Sequence, residues 1–164
     1  MEKYSSGMLD ILQKQTDFYR QLLSLANEKK PVLIKGNIIR LEAITKEEES
    51  LIIKVGRLEE QRQALHKALA GHFAVAPEEL SISELISRVN EPSKTKLTKI
   101  FAEINVIIGQ IVEVNHTNNE LINSSLEFVN FSLNLLTSHS TTPSYKEDEQ
   151  QKKQSTAKIF DRSV

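Results

Sequence analysis

Apolar side chains recur every three or four positions between residues 94 and 136, which is the longest helical pattern in the chain. The stretch contains no proline, and Gly109 is its only glycine. The first apolar track consists of Leu97, Ile100, Ile104, Ile107, Ile111, Val114, Leu121, Phe128 and Leu135. A second track, one position further on, consists of Phe101, Ile108, Val112, Ile122, Val129 and Leu136. Two neighbouring tracks form a wide apolar stripe, so this helix, about 65 Å long, needs partner helices.

A similar pattern predicts a first long helix over residues 4–35. Pro31 lies inside it, and a proline removes one backbone hydrogen bond and clashes with the preceding turn. We therefore expect a kink or break near residues 28–30, or the start of a new turn at Pro31. Gly36 and Asn37 then predict a helix end and a tight turn.

The second long helix is predicted over residues 38–70. Its heptad track consists of Leu41, Ile44, Leu51, Val55, Leu58, Leu65 and Leu69, which indicates knobs-into-holes packing against a partner helix. Glu48 and Arg62 occupy two positions on the same track and indicate a weaker or partly solvated seam. The short connection to the first helix predicts that the two are antiparallel neighbours.

Residues 72–91 predict one or two short helices, because Ser81 and Glu84 have the spacing of a capping box. The chain as a whole therefore predicts an all-α fold. We expect an elongated antiparallel bundle of three long helices plus one or two short helices, with a disordered C-terminal tail. The predicted domains are a helical bundle over residues 1–137 and a tail over residues 138–164.

The tail is predicted to be disordered because residues 137–155 are rich in Ser, Thr, Gln and charge and cannot bury enough apolar surface. Two bulky apolar residues, Ile159 and Phe160, return near its end. One interpretation is a frayed end. The other is a short docking element at residues 157–162, held on the chain's own body or on a partner.

The amino-acid composition argues against several classes of function. The net charge of −1 gives the whole chain no electrostatic attraction to nucleic acid or membrane, and the long helix is too polar for membrane insertion. The chain has no cysteine, hence no disulfide, thiol nucleophile or thiolate metal site. The first residues lack the basic-then-apolar layout of a signal peptide, which predicts a cytoplasmic protein.

Catalytic chemistry has little support in the sequence. The four histidines are not paired at ligand spacing, and there is no phosphate-binding loop, dinucleotide fingerprint or nucleophile elbow. Glu48 and Arg62 are the only candidates for charged groups inside a bundle, but they lie about 21 Å apart along one helix. We therefore predict no catalytic, cofactor-binding or metal-binding residues and no enzymatic activity.

Asparagine and serine interrupt both apolar tracks in the second half of the long helix, at Asn115, Asn118, Asn119 and Ser125 among others. One interpretation is a set of polar layers that fix helix register, as a buried asparagine does in coiled coils. The other is an apolar groove lined by amides and hydroxyls that binds a helix from another protein. The apolar excess after Leu126, next to a polar tail, favours helix-in-groove binding.

The sequence resembles the FlgN family of flagellar export chaperones over most of residues 8–136. The first part of the resemblance consists of Leu33, Gly36, Asn37, Leu41, Thr45, Glu48, Leu51, Leu58, Glu59, Arg62 and Leu65. The second part consists of Asn115, Asn118, Leu121, Ile122, Ser125, Leu126 and Phe128. Ile122 stands where a second leucine is common in the family.

The resemblance implies a cytoplasmic chaperone that binds the C-terminal helical regions of the hook–filament junction proteins FlgK and FlgL. It also implies delivery of these clients to the flagellar type III export apparatus. In the family, the C-terminal part of the chaperone carries client binding. Here the implied partner-binding residues are Asn115, Asn118, Asn119, Leu121, Ile122, Ser125, Leu126, Phe128, Val129, Leu133, Leu135, Leu136, Ile159 and Phe160.

Two alternatives remain at this point. The heptad track of the second helix also fits a structural coiled-coil protein or oligomeric scaffold, which predicts a stable dimer through that seam. A secretion chaperone with a different flagellar client, such as the cap protein or flagellin, is the other alternative.

Overall fold

The structure, a computed structural model, describes residues 2–138. This part of the chain forms four helices: α1 (Glu2–Lys35), α2 (Ile38–His72), α3 (Ile82–Arg88) and α4 (Ser93–Ser138). It contains no strand, so the predicted all-α class is confirmed. The predicted bundle of three long helices stays a prediction. None of the helices in this range combines the length and the apolar character that a membrane crossing requires.

The chain divides into two compact units, Met1–Phe128 and Val129–Val164. The first unit holds α1, α2, α3 and most of α4. Within the second unit, the described residues are the last turns of α4. The predicted tail and its docking element at residues 157–162 lie outside the described residues.

The turn between α1 and α2 follows the predicted chemistry. Gly36 has a φ of +65°, a left-handed conformation that favours glycine, and ends α1. Asn37 caps α2, because its side-chain oxygen accepts a hydrogen bond from the backbone N–H of Arg40 at 3.1 Å. The two helices then run antiparallel, since Lys29 pairs with Glu48 near the turn and Gln15 pairs with Glu59 further from it.

Pro31 lies inside a continuous α1, so a break near residues 28–30 is wrong, and a kink there stays a prediction. A proline in a helix interior costs about 3 kcal/mol, and contacts with α2 offset that cost. Before Pro31, the Lys29 ammonium donates to Glu48 at 2.6 Å, and Arg40 donates to the Glu28 carboxylate at 2.6 and 2.9 Å. After it, Val32 packs against buried side chains of α2. The helix is therefore held on both sides of the proline.

Two apolar clusters hold the first unit together. The larger cluster draws on all four helices and on the α2–α4 connection, and its buried members are Met8, Leu12, Leu69, Ala70, Leu80, Leu85, Val89, Leu97, Ile100 and Ile104. The smaller cluster consists of buried Leu25, Ile44 and Leu51, from α1 and α2 alone. The heptad track of α2 is thus packed against this chain's own α1, which removes the main basis for the oligomeric scaffold.

The short helix α3 begins where the capping pattern predicted. Ser81 is its N-cap, and its hydroxyl accepts a hydrogen bond from the backbone N–H of Glu84 at 3.2 Å. Leu85 of α3 and Leu80 just before it are buried in the larger cluster. His66 of α2 also contacts the carbonyl of Leu80 at 2.8 Å, so the connection between α2 and α4 is fixed to α2 by side chains.

Candidate partner-binding surface on α4

Asn118 marks the point on α4 where burial ends. Its side chain is only 2% exposed, and its Nδ2 donates to the carbonyl oxygen of Ala26 on α1 at 2.8 Å. Its Oδ1 is buried without a hydrogen-bond partner among the described residues. Because Ala26 is itself buried, this bond fixes the register of α4 against α1. This bond matches the interpretation of Asn118 as a residue that fixes helix register. Contact of Asn118 with a partner stays a prediction, and it would require this bond to break.

Before Asn118, α4 packs along α1 in the same direction. Leu97 and Ile100 join the cluster of Met8 and Leu12, and Arg20 forms an ion pair with Glu103 further along. Up to Asn118, the buried apolar side chains of α4 are Leu97, Ile100, Ile104 and Ile107. From residue 119 to residue 137, α4 has no buried side chain.

The predicted contact residues in the first unit are placed unequally. Asn115, Leu121 and Ile122 are half-buried. The exposed members are Asn119, Ser125, Leu126 (56%) and Phe128 (70%). The Ser125 hydroxyl donates to the carbonyl of Leu121 at 2.8 Å, so its donor is satisfied within the helix. What α4 offers here is mainly apolar surface.

In the second unit, every large apolar side chain of residues 129–137 is exposed. The exposed fractions are 51% for Val129, 60% for Phe131, 53% for Leu133, 45% for Leu135 and 71% for Leu136. At about 3.6 residues per turn, Val129, Leu133 and Leu136 share one face of the helix, and Phe131 and Leu135 share the opposite face. We call Val129, Leu133 and Leu136 the terminal apolar surface. No residue from 128 to 138 carries a charge. Ile159 and Phe160, the remaining predicted contacts, lie outside the described residues.

Sequence periodicity did not identify a second exposed group at the α1–α2 turn. Ile34, Ile38 and Ile39 are 67%, 70% and 85% exposed. On α2, Ile52 and Ile53 are also exposed. A helical pattern shows which residues share a face, but it does not show where a neighbouring helix stops covering that face. The only sequence signal was proximity to the glycine turn.

Glu48 and Arg62, the charged residues considered for catalysis, form two separate ion pairs, one between helices and one along a helix. Glu48 binds Lys29, and both side chains are 15% exposed. Arg62 donates to the Glu59 carboxylate at 2.7 and 2.6 Å and lowers the pKa of Glu59 to about 2. These paired charges lie at the α1–α2 contact and do not converge on one cavity. Among residues 2–138 there is also no cluster of three His, Asp or Glu side chains that could hold a metal ion.

A groove of about 660 Å³ lies between the N-terminal half of α1 and the C-terminal half of α2. Tyr4, Ile11 and Leu65 line it together with small and polar residues. It is wide open and lacks convergent polar groups, so it does not have the form of a small-molecule site. The exposed apolar side chains of α4 are the stronger candidate for function.

These features define an all-helical protein with a packed helical core and exposed apolar side chains along the last turns of α4. A family described as FlgN protein matches residues 1–153, and the chain belongs to this family. The family is one of flagellar export chaperones, which places this chain in that general class.

A relative in Bacillus subtilis (strain 168), described as "Uncharacterized protein YvyG", is 23% identical to the chain over 159 residues. The similarity covers 96% of this chain and 97% of the relative. No solved structure matches the chain. The assignment to the family therefore rests on the family match over residues 1–153.

Proposed function

We propose that this protein is a cytoplasmic chaperone that binds the C-terminal helical regions of FlgK and FlgL and delivers them to the flagellar type III export apparatus. Its role is binding and release without catalysis. Three long helices, arranged as the antiparallel bundle that the sequence predicts, form the scaffold, and the last turns of α4 bind the client. Family membership and the exposed apolar side chains of α4 together support this proposal.

The apolar exposure of α4 is the observation that carries the proposal. Val129, Leu133 and Leu136 are spaced by four and three residues, which is the spacing at which one helix presents a seam to another. Each large apolar side chain contributes about 1.5–3 kcal/mol when it passes from full exposure to full burial. These side chains are already partly covered, so we expect about 1 kcal/mol from each of the three on client binding.

The lack of charge at the terminal apolar surface also predicts how binding responds to salt. Exposed ion pairs weaken over the ~10 Å screening length of 0.1 M salt, whereas apolar contacts do not. Since no residue from 128 to 138 is charged, client affinity should change little between low and moderate salt. A strong loss of affinity with salt would instead indicate that charged residues elsewhere carry the interaction.

The test is calorimetric titration of the full chain with a fragment containing the C-terminal helical region of FlgK or FlgL. Leu133→Ser with Leu136→Ser tests the second unit, and Leu126→Ser tests the first unit separately. Loss of about 1 kcal/mol per side chain predicts that the double variant binds roughly 30-fold more weakly. The matched control is Ile52→Ser with Ile53→Ser, which removes two comparably exposed apolar side chains from α2.

The control should bind the client as the original chain does, and thermal unfolding should show that all variants keep their helices. Wild-type affinity in the Leu133 and Leu136 variant would reject the site. Failure of the unaltered chain to bind either fragment, with binding to a cap protein or flagellin, would reject the assigned clients while keeping the chaperone class.

A further inference from the structure

The terminal apolar surface is followed in the chain by a segment that is long enough to reach it and contains apolar residues that match it. Leu136, its most exposed member, is two residues before Ser138, where α4 ends. Another 26 residues follow, numbered 139–164. Their large apolar residues are Tyr145, Ile159, Phe160 and Val164, so Ile159 and Phe160 are the only adjacent pair.

We infer that residues 157–162 dock on the terminal apolar surface through Ile159 and Phe160 and compete with the client for it. This inference rests on the proposed function, because the surface that is covered is the proposed client site. The FlgN match ends at residue 153, so the docking pair lies outside the part of the chain that identifies the family.

Chain length permits the contact. The surface extends about 10 Å along α4 from Val129 to Leu136 at ~1.5 Å per residue. The 20 residues numbered 139–158 can span at most about 70 Å when extended, so the tether does not prevent the pair from reaching any point of the surface. Tethering also gives the pair an effective concentration in the millimolar range, far above that of a free partner at micromolar concentration.

The chemistry of the terminal apolar surface also favours residues 157–162 as its occupant. The terminal apolar surface carries no charge, and an isoleucine next to a phenylalanine is what such a surface accepts. Lys158, Asp161 and Arg162 flank the pair in the sequence, so no charge falls between Ile159 and Phe160. A second copy of the chain is a weaker occupant, because three partly exposed side chains bury much less than the roughly 1,000 Å² that a specific interface needs.

The experiment compares the full chain with the Ile159→Ser, Phe160→Ser double variant. Tyr145→Ser is the matched control, since it removes another large apolar residue after Ser138. The first readout needs no client and measures amide hydrogen exchange over residues 129–136. The second measures affinity for the FlgK or FlgL fragment. A cap that is closed for 70–90% of the time predicts roughly three- to tenfold faster exchange and a similarly tighter affinity in the double variant.

The cap is supported if the double variant shows faster exchange and tighter client binding while the Tyr145→Ser control shows neither. Unchanged exchange overturns it, whatever happens to the client. Weaker client binding with unchanged exchange means that Ile159 and Phe160 contact the client directly, which also overturns the cap. Exchange that slows as protein concentration rises identifies a second copy as the cover and overturns it as well. Faster exchange with no client binding by either chain keeps the cap and rejects the proposed clients.

Discussion

Replacing Asn118 with leucine is expected to stabilise the fold, although it removes a hydrogen bond between α1 and α4. The bond from Nδ2 to the carbonyl oxygen of Ala26 is worth about 1 kcal/mol net. The Oδ1 atom has the opposite effect on stability. It is buried without a partner among the described residues, and its desolvation costs about 1–3 kcal/mol. Ala26 lies within α1, where its carbonyl can also accept a helical hydrogen bond, so losing the amide does not orphan it.

Leucine has the same side-chain branching as asparagine and adds buried apolar surface. Because the methyl groups of leucine are larger than the amide atoms they replace, tighter packing cancels part of the free energy gained from this burial. The net expectation for Asn118→Leu is a gain of about 1 kcal/mol in the free energy of unfolding. In a chain of this length that gain corresponds to a rise of about 2–4 °C in Tm. Asn118→Ala loses the bond and some packing and should cost about 1–2 kcal/mol.

Asn118→Asp completes the series. It removes the donor and buries a carboxylate against a carbonyl oxygen, so it should cost about 3 kcal/mol or more unless the acid protonates. The assay is urea unfolding followed by circular dichroism at 222 nm, with a constant m-value required for comparison. The order Leu, wild type, Ala, Asp from most to least stable supports this reasoning. A leucine variant as unstable as the alanine variant would refute it and would show that Oδ1 is satisfied in solution.

Three further predictions concern the contacts around the α1–α2 pair. Because Arg62 lowers the pKa of Glu59 from 4.5 to about 2, the stability from this pair is present above pH 4.5 and is lost as the pH falls toward 2. Glu59→Gln should therefore flatten that part of the stability–pH curve, and acid unfolding of both chains measures it. Glu48→Gln leaves the Lys29 ammonium without its charged partner and should cost about 1–3 kcal/mol in urea unfolding, since the pair is largely buried. Gly36→Ala meets no atom within 4 Å, so its expected cost of about 1 kcal/mol reflects the positive φ alone, and an unchanged Tm would contradict that reason.

The helices and their ends were largely predictable because they depend on local sequence. Gly36, Asn37 and the Ser81 cap act within one turn of their own positions, and the structure places helix ends at each. The apolar tracks likewise identified the buried face of α4 up to Ile107. Local chemistry also led to the wrong expectation of a possible helix break before Pro31, since the proline penalty is local while the stabilising contacts come from α2.

Contacts across helices were not predictable from one sequence, because they depend on the register of one helix against another. Nothing in the pattern of α1 indicates that Lys29 pairs with Glu48, or that Gln15 reaches Glu59. Asn118 stood out as polar on an apolar track, but its bond to Ala26 depends on the register of α4 against α1, which the sequence does not show. The exposure of Ile34, Ile38 and Ile39 depends in the same way on where neighbouring helices end.

The core takes no buried side chain from α4 after Asn118 within the described residues. Natural selection for a stable fold therefore acts weakly on the last five turns of that helix. Substitutions there can accumulate with little effect on folding, while each one alters the surface proposed to bind the client. A duplicated gene could in this way acquire a new cargo without first acquiring stabilising mutations elsewhere.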